Sequence, residues 1–434
     1  MPSVVHVGLG AFHRAHQAVY TQDSPGWRIR AIAPRSGTVA GALRAQGHRY
    51  HVLVREHGRA EAVPVSAITE TLHAPTQRAE AVAALADPDT RVVTLTVTEK
   101  AYTPAGDVLG LLVDGLAARR AAEAGPLAVV CCDNLPGNGP TLARLVLAAC
   151  AARDEGLAGW VESGVAFPAT VVDRIVPAAT EADHTLVEAL TGERDRAAVV
   201  AEPYRQWVLQ DRFPGGRPAW PGAVFTADVT PYERAKIRVL NGVHSALAYT
   251  GALTGHERID QALADPALGR LAERLALEDV LPTLTPPDGV DLREYTATVL
   301  GRMRNPALRH RCAQVAADGS LKVPIRLLGT VRDRLAAGAV PRWAVLAVAA
   351  WLRHVTVGLD DAGRPVEAAD PGAARLARRA AGNPAANLGR LLGERAVFGD
   401  DLPGHRGFTD LLHADLRDLA RHGAGTVIRR ETTP

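Results

Sequence analysis

Cysteine and long apolar runs are both scarce in this chain, and each shortage argues against a class of protein. Neighbouring cysteines such as Cys131 and Cys132 rarely bridge each other, and no Cys-x-x-Cys pair suggests zinc. The longest apolar run, residues 343–352, is roughly half as long as a bilayer span. The N-terminal segment has neither a basic start nor a signal-like apolar stretch. We therefore expect a reduced, cytoplasmic protein without a membrane partner.

An excess of charge of either sign is also missing. The 49 basic and 47 acidic side chains leave a formal net charge of +2, which gives no electrostatic case for binding nucleic acid. Hydrophobic residues make up 47% of the chain and charged residues 22%, as in an ordinary globular protein. Because 434 residues exceed what one compact core holds, we predict two or three domains.

The first half of the chain alternates apolar strands with helices. Strands are predicted at residues 4–7, 28–33, 91–97 and 127–132, and helices at 38–46, 77–86, 110–124 and 139–152. This alternation predicts a parallel sheet that is buried on both faces. From about residue 230 the chain is rich in Leu, Ala and Arg with helical periodicity. The predicted fold class is α/β, with a Rossmann-type dinucleotide-binding domain at residues 1–230 and a mainly α-helical substrate-binding domain at 231–434.

A glycine pair follows the first predicted strand. Gly8 and Gly10 have the spacing that opens a dinucleotide fingerprint, in which glycines let backbone amides approach a pyrophosphate. The third glycine of that fingerprint is missing, so a simple strand-to-helix turn is the alternative interpretation. After the second strand, Arg35 and Ser36 stand where an NAD site usually carries an acid. Arg35 can face the 2′-phosphate of NADP or lie in an exposed loop, so the choice of cofactor stays open.

The segment from Thr230 to His244 carries the most informative polar pattern. Thr230, with Glu233 three residues later, forms a capping-box sequence that predicts the start of a helix. At about 100° per residue, Glu233, Lys236, Asn241 and His244 share one side of that helix. These residue types suit alcohol oxidation without a metal, because a lysine can accept the hydroxyl proton while an amide holds the alkoxide. A snorkelling Lys236 and a core His244 are the structural alternative.

The same element resembles a signature of the mannitol dehydrogenase family, the long-chain polyol dehydrogenases that include fructuronate reductases. The resemblance spans nearly the whole chain, and the Lys-x4-Asn-x2-His spacing of Lys236, Asn241 and His244 is its most specific part. Its other marks are GLGAFHRAH at 8–16, TEKAY at 98–102, CDNLPGNG at 132–139, VDRI at 172–175, EPYRQW at 202–207 and DGSLK at 318–322.

The resemblance implies a role for each candidate residue. Lys236 is the general base, Asn138 and Asn241 form the pocket for the alkoxide, His244 positions the substrate, and Glu233 lies on a proton path to Lys236. The implied substrate-binding residues are Asp173 and Lys322, and the implied cofactor-binding residues are Gly8, Gly10, Phe12, Arg35, Thr98 and Glu99.

The resemblance also implies the cofactor and the partners. NAD is the expected cofactor with NADP as the alternative, no metal is required, and the substrate is a small polyol, ketose or sugar acid. Many relatives act as monomers, and a monomer is the expectation here. Two residues have structural interpretations: Asn134 shapes the turn ahead of Asn138, and Glu99 belongs equally well to the loop after a cofactor-binding strand.

One departure from the family pattern bears on the substrate. Gln314 stands where mannitol 2-dehydrogenases tend to have arginine, which favours the uronate-reductase branch over mannitol. Arg302, Arg304, Arg311 and Arg326 can bind a substrate carboxylate or phosphate, although exposed salt bridges are the ordinary role of arginine.

The resulting hypothesis is a metal-independent NAD(P)-dependent oxidoreductase. It interconverts a sugar alcohol or aldonate, of the mannitol or mannonate type, with the matching ketose or keto-uronate, of the fructose or fructuronate type. The alternatives are a mannitol-1-phosphate 5-dehydrogenase activity, an inactive nucleotide-binding regulator, and a zinc-dependent alcohol dehydrogenase. The last lacks ligand cysteines, and the intact Lys236, Asn241 and His244 set argues against a regulator.

Overall fold

The first half of the chain folds around a parallel β-sheet. In the computed structural model, which describes residues 1–97 and 106–433, the chain divides into two units, Met1–Glu233 and Arg234–Pro434. The strands are β1 (Ser3–Val7), β2 (Arg28–Ala33), β3 (Tyr50–Glu56), β4 (Arg59–Val65), β5 (Ile68–His73), β6 (Thr90–Leu95), β7 (Leu127–Cys131), β8 (Val165–Ala166), β9 (Thr170–Asp173), β10 (Val199–Ala201), β11 (Gln206–Gln210) and β12 (Val224–Thr226).

Six of these strands form the main sheet in the order β5-β2-β1-β6-β7-β8, with every neighbouring pair parallel. Numbered along the chain within this sheet, that order is 3-2-1-4-5-6, the arrangement of the Rossmann fold. Every residue of β1 and of β7 is buried, as expected for strands covered on both faces. The predicted α/β class with a parallel sheet is confirmed.

Residues 47–76 had no predicted structure, yet they form three strands. Strand β5 is the edge of the main sheet, whereas β3 and β4 pair antiparallel in a separate sheet of order β10-β3-β4. A third sheet has the order β12-β11-β9. The β4 strand mixes Arg59 and Glu61 with small apolar residues and is largely unburied, so it lacks the apolar run that identified the other strands.

Helices alternate with the strands of the first unit. They are α1 (Ala11–Ala15), α2 (Gln17–Gln22), α3 (Thr38–Ala45), α4 (Arg78–Ala86), α5 (Asp107–Ala121), α6 (Asn138–Arg153), α7 (Glu155–Gly164) and α8 (Glu181–Thr191), followed by α9 (Thr230–Ala235). The four helices predicted for this part of the chain correspond to α3, α4, α5 and α6. The glycine turn leads into two short helices, α1 and α2, instead of one long helix.

The second unit is helical, as predicted. It begins with a π-helical segment, Lys236–Gly242, and contains a second one at Leu275–Val280. Its α-helices are α10 (Val243–Leu253), α11 (Ile259–Ala264), α12 (Pro266–Arg274), α13 (Leu292–Met303), α14 (Cys312–Ala316), α15 (Gly319–Arg326), α16 (Leu328–Ala336), α17 (Arg342–Val357), α18 (Ala373–Ala380), α19 (Leu388–Leu392), α20 (Arg395–Phe398), α21 (Arg406–His422) and α22 (Ala424–Thr432).

The core of the second unit is built around α17. Residues 343–352 of this helix are all buried, and they belong to the same apolar cluster as residues of α10, α12 and α21. A helix that is apolar on every side needs such a central position. Of the helices that the structure describes, none combines the length and hydropathy that a bilayer crossing requires.

Candidate active site

The turn after β1 requires glycine at its first position. Gly8 has a φ of +110°, and a Cβ there would overlap the backbone oxygen of Thr96. The Gly8 amide donates to the carbonyl of Ile32 at 3.0 Å, and its own carbonyl accepts the amide of Gly10 at 2.6 Å. A Cβ at Gly10 would meet only that carbonyl oxygen, at 3.8 Å. The turn therefore exposes backbone that a ligand can approach closely.

This turn lies where the strand order of the main sheet reverses. Strand β1 pairs with β2 on one side and with β6 on the other, so the chain crosses over from β1 in opposite directions. In open parallel sheets, ligands bind outside the carboxyl ends of the strands at such a switch point. Gly8 and Gly10 thus stand at the position where a dinucleotide is expected.

Two other cofactor candidates, Phe12 and Arg35, follow the carboxyl ends of strands β1 and β2. Phe12 lies on α1, where its ring stacks on that of His16 with centroids 5.1 Å apart. Arg35 is exposed after β2, and its carbonyl accepts a hydrogen bond from Nε2 of His73 at 2.9 Å. Thr98 and Glu99 lie outside the described residues. No acidic side chain occurs in the Ala33-to-Ser36 stretch, so Arg35 is the charged group at the end of β2.

Asn138 begins α6, and its side chain is fully engaged with backbone groups. Its Nδ2 donates to the carbonyl oxygens of Thr170 at 2.9 Å and Asp133 at 3.2 Å, while its Oδ1 accepts the amide of Thr170 at 2.9 Å. A primary amide has two hydrogens, and both are used here. The side chain is also buried, with 2% of the residue exposed. This amide ties the loop after β7 to β9, and the predicted role of Asn138 in an alkoxide pocket stays a prediction.

Asn134 lies at the start of the same loop. It is exposed and comes directly after the buried carboxyl end of β7. The neighbouring Asp133 accepts the amide of Val97 at 2.9 Å, which joins this loop to the segment after β6. Asn138 ties this loop to Thr170, and the expected role of Asn134 in the turn stays a prediction. Asn134 is the closer of the two to the end of β7, and ligands bind at strand ends.

Glu233 reaches the other end of this loop. Helix α9 begins at Thr230 as predicted, with Oδ1 of Asp228 accepting the Thr230 amide at 2.9 Å. Oε1 of Glu233 accepts the amide of Gly137 at 2.8 Å, one residue before Asn138. The loop after β7 is therefore held at Gly137 by a carboxylate and at Asn138 by the backbone of Thr170.

Asp173 ends β9 and is buried. It lies opposite Gln206 of β11 in the antiparallel pair. Its negative charge acts on His16, whose Nε2 is 2.9 Å from the Gln206 carbonyl oxygen. Burial still lowers the pKa of His16 to about 3, so that ring is neutral. Asp173 is therefore a buried carboxyl group at the end of a strand in the first unit.

The helix that carries Lys236 is not α-helical throughout. From Lys236 to Gly242 the backbone is a π-helix, whose i→i+5 hydrogen bonds widen the turn. The predicted arrangement at 100° per residue is therefore wrong over this segment. Because Lys236 and Asn241 are five residues apart, the wider π-turn brings their side chains closer in angle around the helix axis than an α-helix would. At Gly242 a Cβ would lie 2.8 Å from the backbone oxygen of Arg326, so glycine permits the close approach of that chain segment.

The exposures of the three signature residues differ. Lys236 is 7% exposed, His244 on α10 is also buried, and Asn241 is half-buried. Single π-turns inside helices occur frequently at functional sites. The second unit therefore presents the Lys-x4-Asn-x2-His set from one continuous helical segment, with the base candidate shielded from bulk water.

Positive charge surrounds His244. Its ring centroid is 4.7 Å from that of His310, which meets it edge-on. Burial lowers the pKa of His244 well below 6.5, and the nearby His310, Arg326, Arg302 and Lys322 lower it further. Burial, with a contribution from Lys322, lowers the pKa of His310 to about 4. Both rings are therefore neutral at physiological pH, inside a group of cations that we call the cationic cluster: Arg302, Lys322 and Arg326.

The members of the cationic cluster come from α13 and α15. Arg302 is 8% exposed on α13, Nη1 of Arg326 donates to Oγ of Ser245 at 3.1 Å, and Nζ of Lys322 donates to the carbonyl of Ala317 at 2.6 Å. By contrast, Arg311 is exposed and has the ordinary role expected of arginine, near two glutamates. Sequence analysis gave Arg302 and Arg326 no preference over Arg311 and missed His310, which no motif marks.

Within residues 1–97 and 106–433, no group of three or more His, Cys, Asp or Glu side chains is arranged to hold a metal ion.

Comparison with known proteins agrees with this geometry. Residues 2–222 match the family model for the mannitol dehydrogenase Rossmann domain, and residues 228–420 match that for the mannitol dehydrogenase C-terminal domain. A Rossmann sheet with this glycine turn, followed by this helical domain, defines an oxidoreductase that acts on CH–OH groups. The chain belongs to the mannitol dehydrogenase family.

Three relatives show the extent of the similarity. The D-mannonate oxidoreductase of Escherichia coli (strain K12) is 38% identical over 457 residues, which cover 97% of this chain and 94% of that protein. The mannitol 2-dehydrogenase of Cereibacter sphaeroides is 35% identical over 468 residues, covering 99% and 96%. The solved structure of Pseudomonas fluorescens mannitol 2-dehydrogenase, a ternary complex with NAD and D-mannitol, has a TM-score of 0.89 at 32% identity and covers 99% of this chain and 94% of that one. The predicted family is confirmed.

Proposed function

We propose that the chain is an NAD-dependent dehydrogenase that interconverts an aldonate with the matching keto-uronate, of the mannonate and fructuronate type. The observation that carries this choice of substrate is the cationic cluster of Arg302, Lys322 and Arg326 around the buried His244. Converging cations at a buried site suit a substrate carboxylate, because charge-assisted hydrogen bonds are the strong ones. The 38% identical relative named D-mannonate oxidoreductase supports the same class.

The residues of the glycine turn fit a dinucleotide. Gly8 adopts a left-handed φ that other residues rarely tolerate, and Gly10 leaves the ligand side of the turn open. When bound, NAD supplies the acceptor for the hydride that leaves the substrate carbon. The chain's own contribution is the backbone of Gly8 and Gly10, with Phe12 beside it on α1. Arg35 is also suited to a 2′-phosphate, so we expect measurable use of NADP.

The proton of the substrate hydroxyl passes to Lys236 in this proposal. The Lys236 side chain is shielded from bulk water, and a positioned base accepts the proton as hydride departs. Asn241, on the same side of the π-helical segment, supplies an amide hydrogen for the developing alkoxide. His244, held neutral, donates to or accepts from a substrate hydroxyl and so orients the sugar chain. Glu233, three residues before Lys236, passes the proton onward.

Asn134 replaces Asn138 as the second amide in the proposed chemistry. Asn138 has no hydrogen left to donate, whereas Asn134 is exposed at the carboxyl end of β7. Asp173, buried at the end of β9, is assigned to substrate binding, because its carboxylate can accept hydrogen bonds from the substrate hydroxyls. Lys322 keeps its predicted substrate role as a member of the cationic cluster.

Substrate preference tests the proposal directly. We expect kcat/KM for a keto-uronate such as fructuronate to exceed that for fructose about 100-fold, the effect of two charge-assisted hydrogen bonds of roughly 1.5 kcal/mol each. Reduction of each ketose, keto-uronate and ketose phosphate is followed by NADH absorbance. Equal or better use of fructose contradicts the carboxylate assignment, and preference for fructose 6-phosphate indicates the phosphorylated alternative.

Arginine variants locate the recognition. Arg302→Gln and Arg326→Gln should each raise KM for the keto-uronate about tenfold and leave KM for fructose nearly unchanged. Arg304→Gln is the matched control, because Arg304 ends the same helix as Arg302 but is exposed. A similar loss in the control, or equal losses for both substrates, would show that these arginines stabilise the fold instead of binding the carboxylate.

The base assignment has its own experiment. Lys236→Ala should lower kcat about 1,000-fold, within the range for loss of a general base, while NADH binding by fluorescence titration stays within about threefold. Added methylamine should restore part of the activity in proportion to its free-base concentration. A variant that retains wild-type kcat, or that no amine rescues while its fold is intact, rules out Lys236 as the proton acceptor.

A further inference from the structure

His6 connects the glycine turn to the neighbouring strand. It lies on β1 two residues before Gly8 and faces Thr94 of β6, its partner in the parallel register. Its Nε2 is 3.0 Å from the carbonyl oxygen of Gly8, and its Nδ1 is 2.7 Å from Oγ1 of Thr94. Both side chains are fully buried. A continuous hydrogen-bonded path therefore runs from Thr94 through the imidazole to the first glycine of the turn.

The chemistry of these atoms determines which ring nitrogen carries hydrogen. A carbonyl oxygen only accepts, so Nε2 of His6 must donate to Gly8. Burial lowers the pKa of His6 to about 3, so the ring is neutral at neutral pH and Nδ1 carries no hydrogen. The hydroxyl of Thr94 must then donate to Nδ1. The Gly8 carbonyl therefore sets the Nε2–H tautomer, and the Thr94 hydroxyl supports it by donating to Nδ1.

The plane of the His6 ring is held by His13. The two rings stack with centroids 3.3 Å apart and an interplanar angle of 8°, and His13 lies on α1, the helix that follows the turn. His6 is thus constrained at both ring nitrogens and on one face. An imidazole with no freedom to rotate can act as a rigid spacer under the turn.

The Gly8 carbonyl links His6 to the backbone of the turn. It accepts hydrogen bonds from Nε2 of His6 and from the amide of Gly10, so it fixes the peptide plane that joins Gly8 to Leu9. That plane sets the direction of the Leu9 amide. Because dinucleotide phosphates bind to backbone amides in such glycine turns, the orientation of the plane determines how well the turn is organised before the ligand arrives.

We propose that His6 is a positioning residue for the cofactor, and that its Nε2–H tautomer, supported by the hydrogen bond from Thr94, holds the Gly8 peptide in the geometry that receives the dinucleotide. The inference rests on the proposed cofactor function of the glycine turn and adds to it two residues that touch neither cofactor nor substrate. Thr94 acts through His6, and His6 acts through Gly8. Loss of the Thr94 hydroxyl should therefore weaken cofactor binding without slowing the chemical step.

Thr94→Val is the decisive variant, since valine keeps the β-branched shape of the strand residue and removes only the hydroxyl. We expect the Kd for NADH to rise about tenfold, the effect of one hydrogen bond that organises the turn, while kcat at saturating NADH stays within about threefold. Thr94→Ser is the matched control, because it retains the hydroxyl and loses a methyl group. It should bind NADH nearly as tightly as the wild-type protein.

The tautomer itself is measured without the cofactor. In protein labelled with 15N-histidine, long-range 15N–1H spectra should show His6 as Nε2–H in the wild type and in Thr94→Ser, and a shifted Nδ1 resonance in Thr94→Val, where the hydrogen bond to Nδ1 is lost. A Thr94→Val protein with a shifted Nδ1 resonance, or merely lower thermal stability, but unchanged Kd for NADH overturns the positioning role. If wild-type protein with the Nε2–H tautomer fails to bind NADH, the cofactor assignment fails first, and the inference built on it falls with it.

Discussion

Substitution of the two asparagines in the loop after β7 should have different effects, with Asn138→Ala lowering stability and Asn134→Ala lowering kcat. Asn138→Ala removes three hydrogen bonds, to the Thr170 amide, the Thr170 carbonyl and the Asp133 carbonyl. At about 1 kcal/mol for each bond, the loss of unfolding free energy is roughly 3 kcal/mol. For a domain of this size we expect Tm to fall by about 6–12 °C. Differential scanning calorimetry measures this change.

Asn134→Ala is the matched partner of that variant. Because Asn134 is exposed, Tm should stay within about 1 °C, while kcat falls about 100-fold, the lower end for loss of one alkoxide donor. Steady-state rates with the preferred substrate and NADH measure this second change. The reasoning is refuted if Asn138→Ala leaves Tm unchanged, or if Asn134→Ala keeps full kcat while Asn138→Ala loses it at unchanged Tm.

Three further predictions concern the cofactor, acid and metals. Arg35→Ala should raise KM for NADPH about tenfold and leave KM for NADH within about threefold, since it removes the cation after β2; parallel rate measurements with both cofactors check this. Stability should fall as pH drops below 6.5, because burial lowers the pKa values of seven histidines, so the unfolded state binds more protons than the folded one; each net proton costs about 1.4 kcal/mol of stability per pH unit. These histidines are His6, His13, His16, His48, His244, His310 and His354. Burial raises the pKa values of Asp279 and Asp415 to about 6, which opposes this trend, but the histidines outnumber them. Tm should be lower at pH 5.5 than at pH 7.5, and an unchanged Tm contradicts the claim that these histidines are neutral in the folded protein. Prolonged dialysis against a chelator should leave kcat unchanged, whereas a loss that added zinc reverses would exclude a metal-independent mechanism.

The fold was largely predictable where apolar runs were continuous. Strand β7 is buried throughout and its sequence is uninterrupted in apolar residues, while β1, which is also buried, and the mostly buried β2 and β6 carry short apolar runs. The β3–β4 pair belongs to a smaller sheet with partly exposed faces. Strand β4 mixes charged and small residues and carries no comparable signal, and β3 has only a three-residue apolar run at 52–54. Which residues form strands there depends on pairing partners such as β10, which lies far along the chain.

The candidate site residues came from the family resemblance, and their geometry was not predictable. Spacing alone left a snorkelling Lys236 and a core His244 as the alternative. The π-helical segment could not be foreseen, since periodicity arguments assume a constant turn. Asn138 and Asn134 look alike in the sequence, and only the contact with Thr170, which is 32 residues away from Asn138, distinguishes the buried amide from the exposed one.

A π-turn contains one residue more than the α-turn that would span the same path. The extra residue shifts the angular positions of the side chains before Lys236 relative to those after Gly242. Deleting a single residue such as Ile237 would restore uniform winding and swing everything upstream by about 100° about the axis. The amine and the imidazole of the signature can thus be re-aimed relative to each other by length alone, without changing either residue.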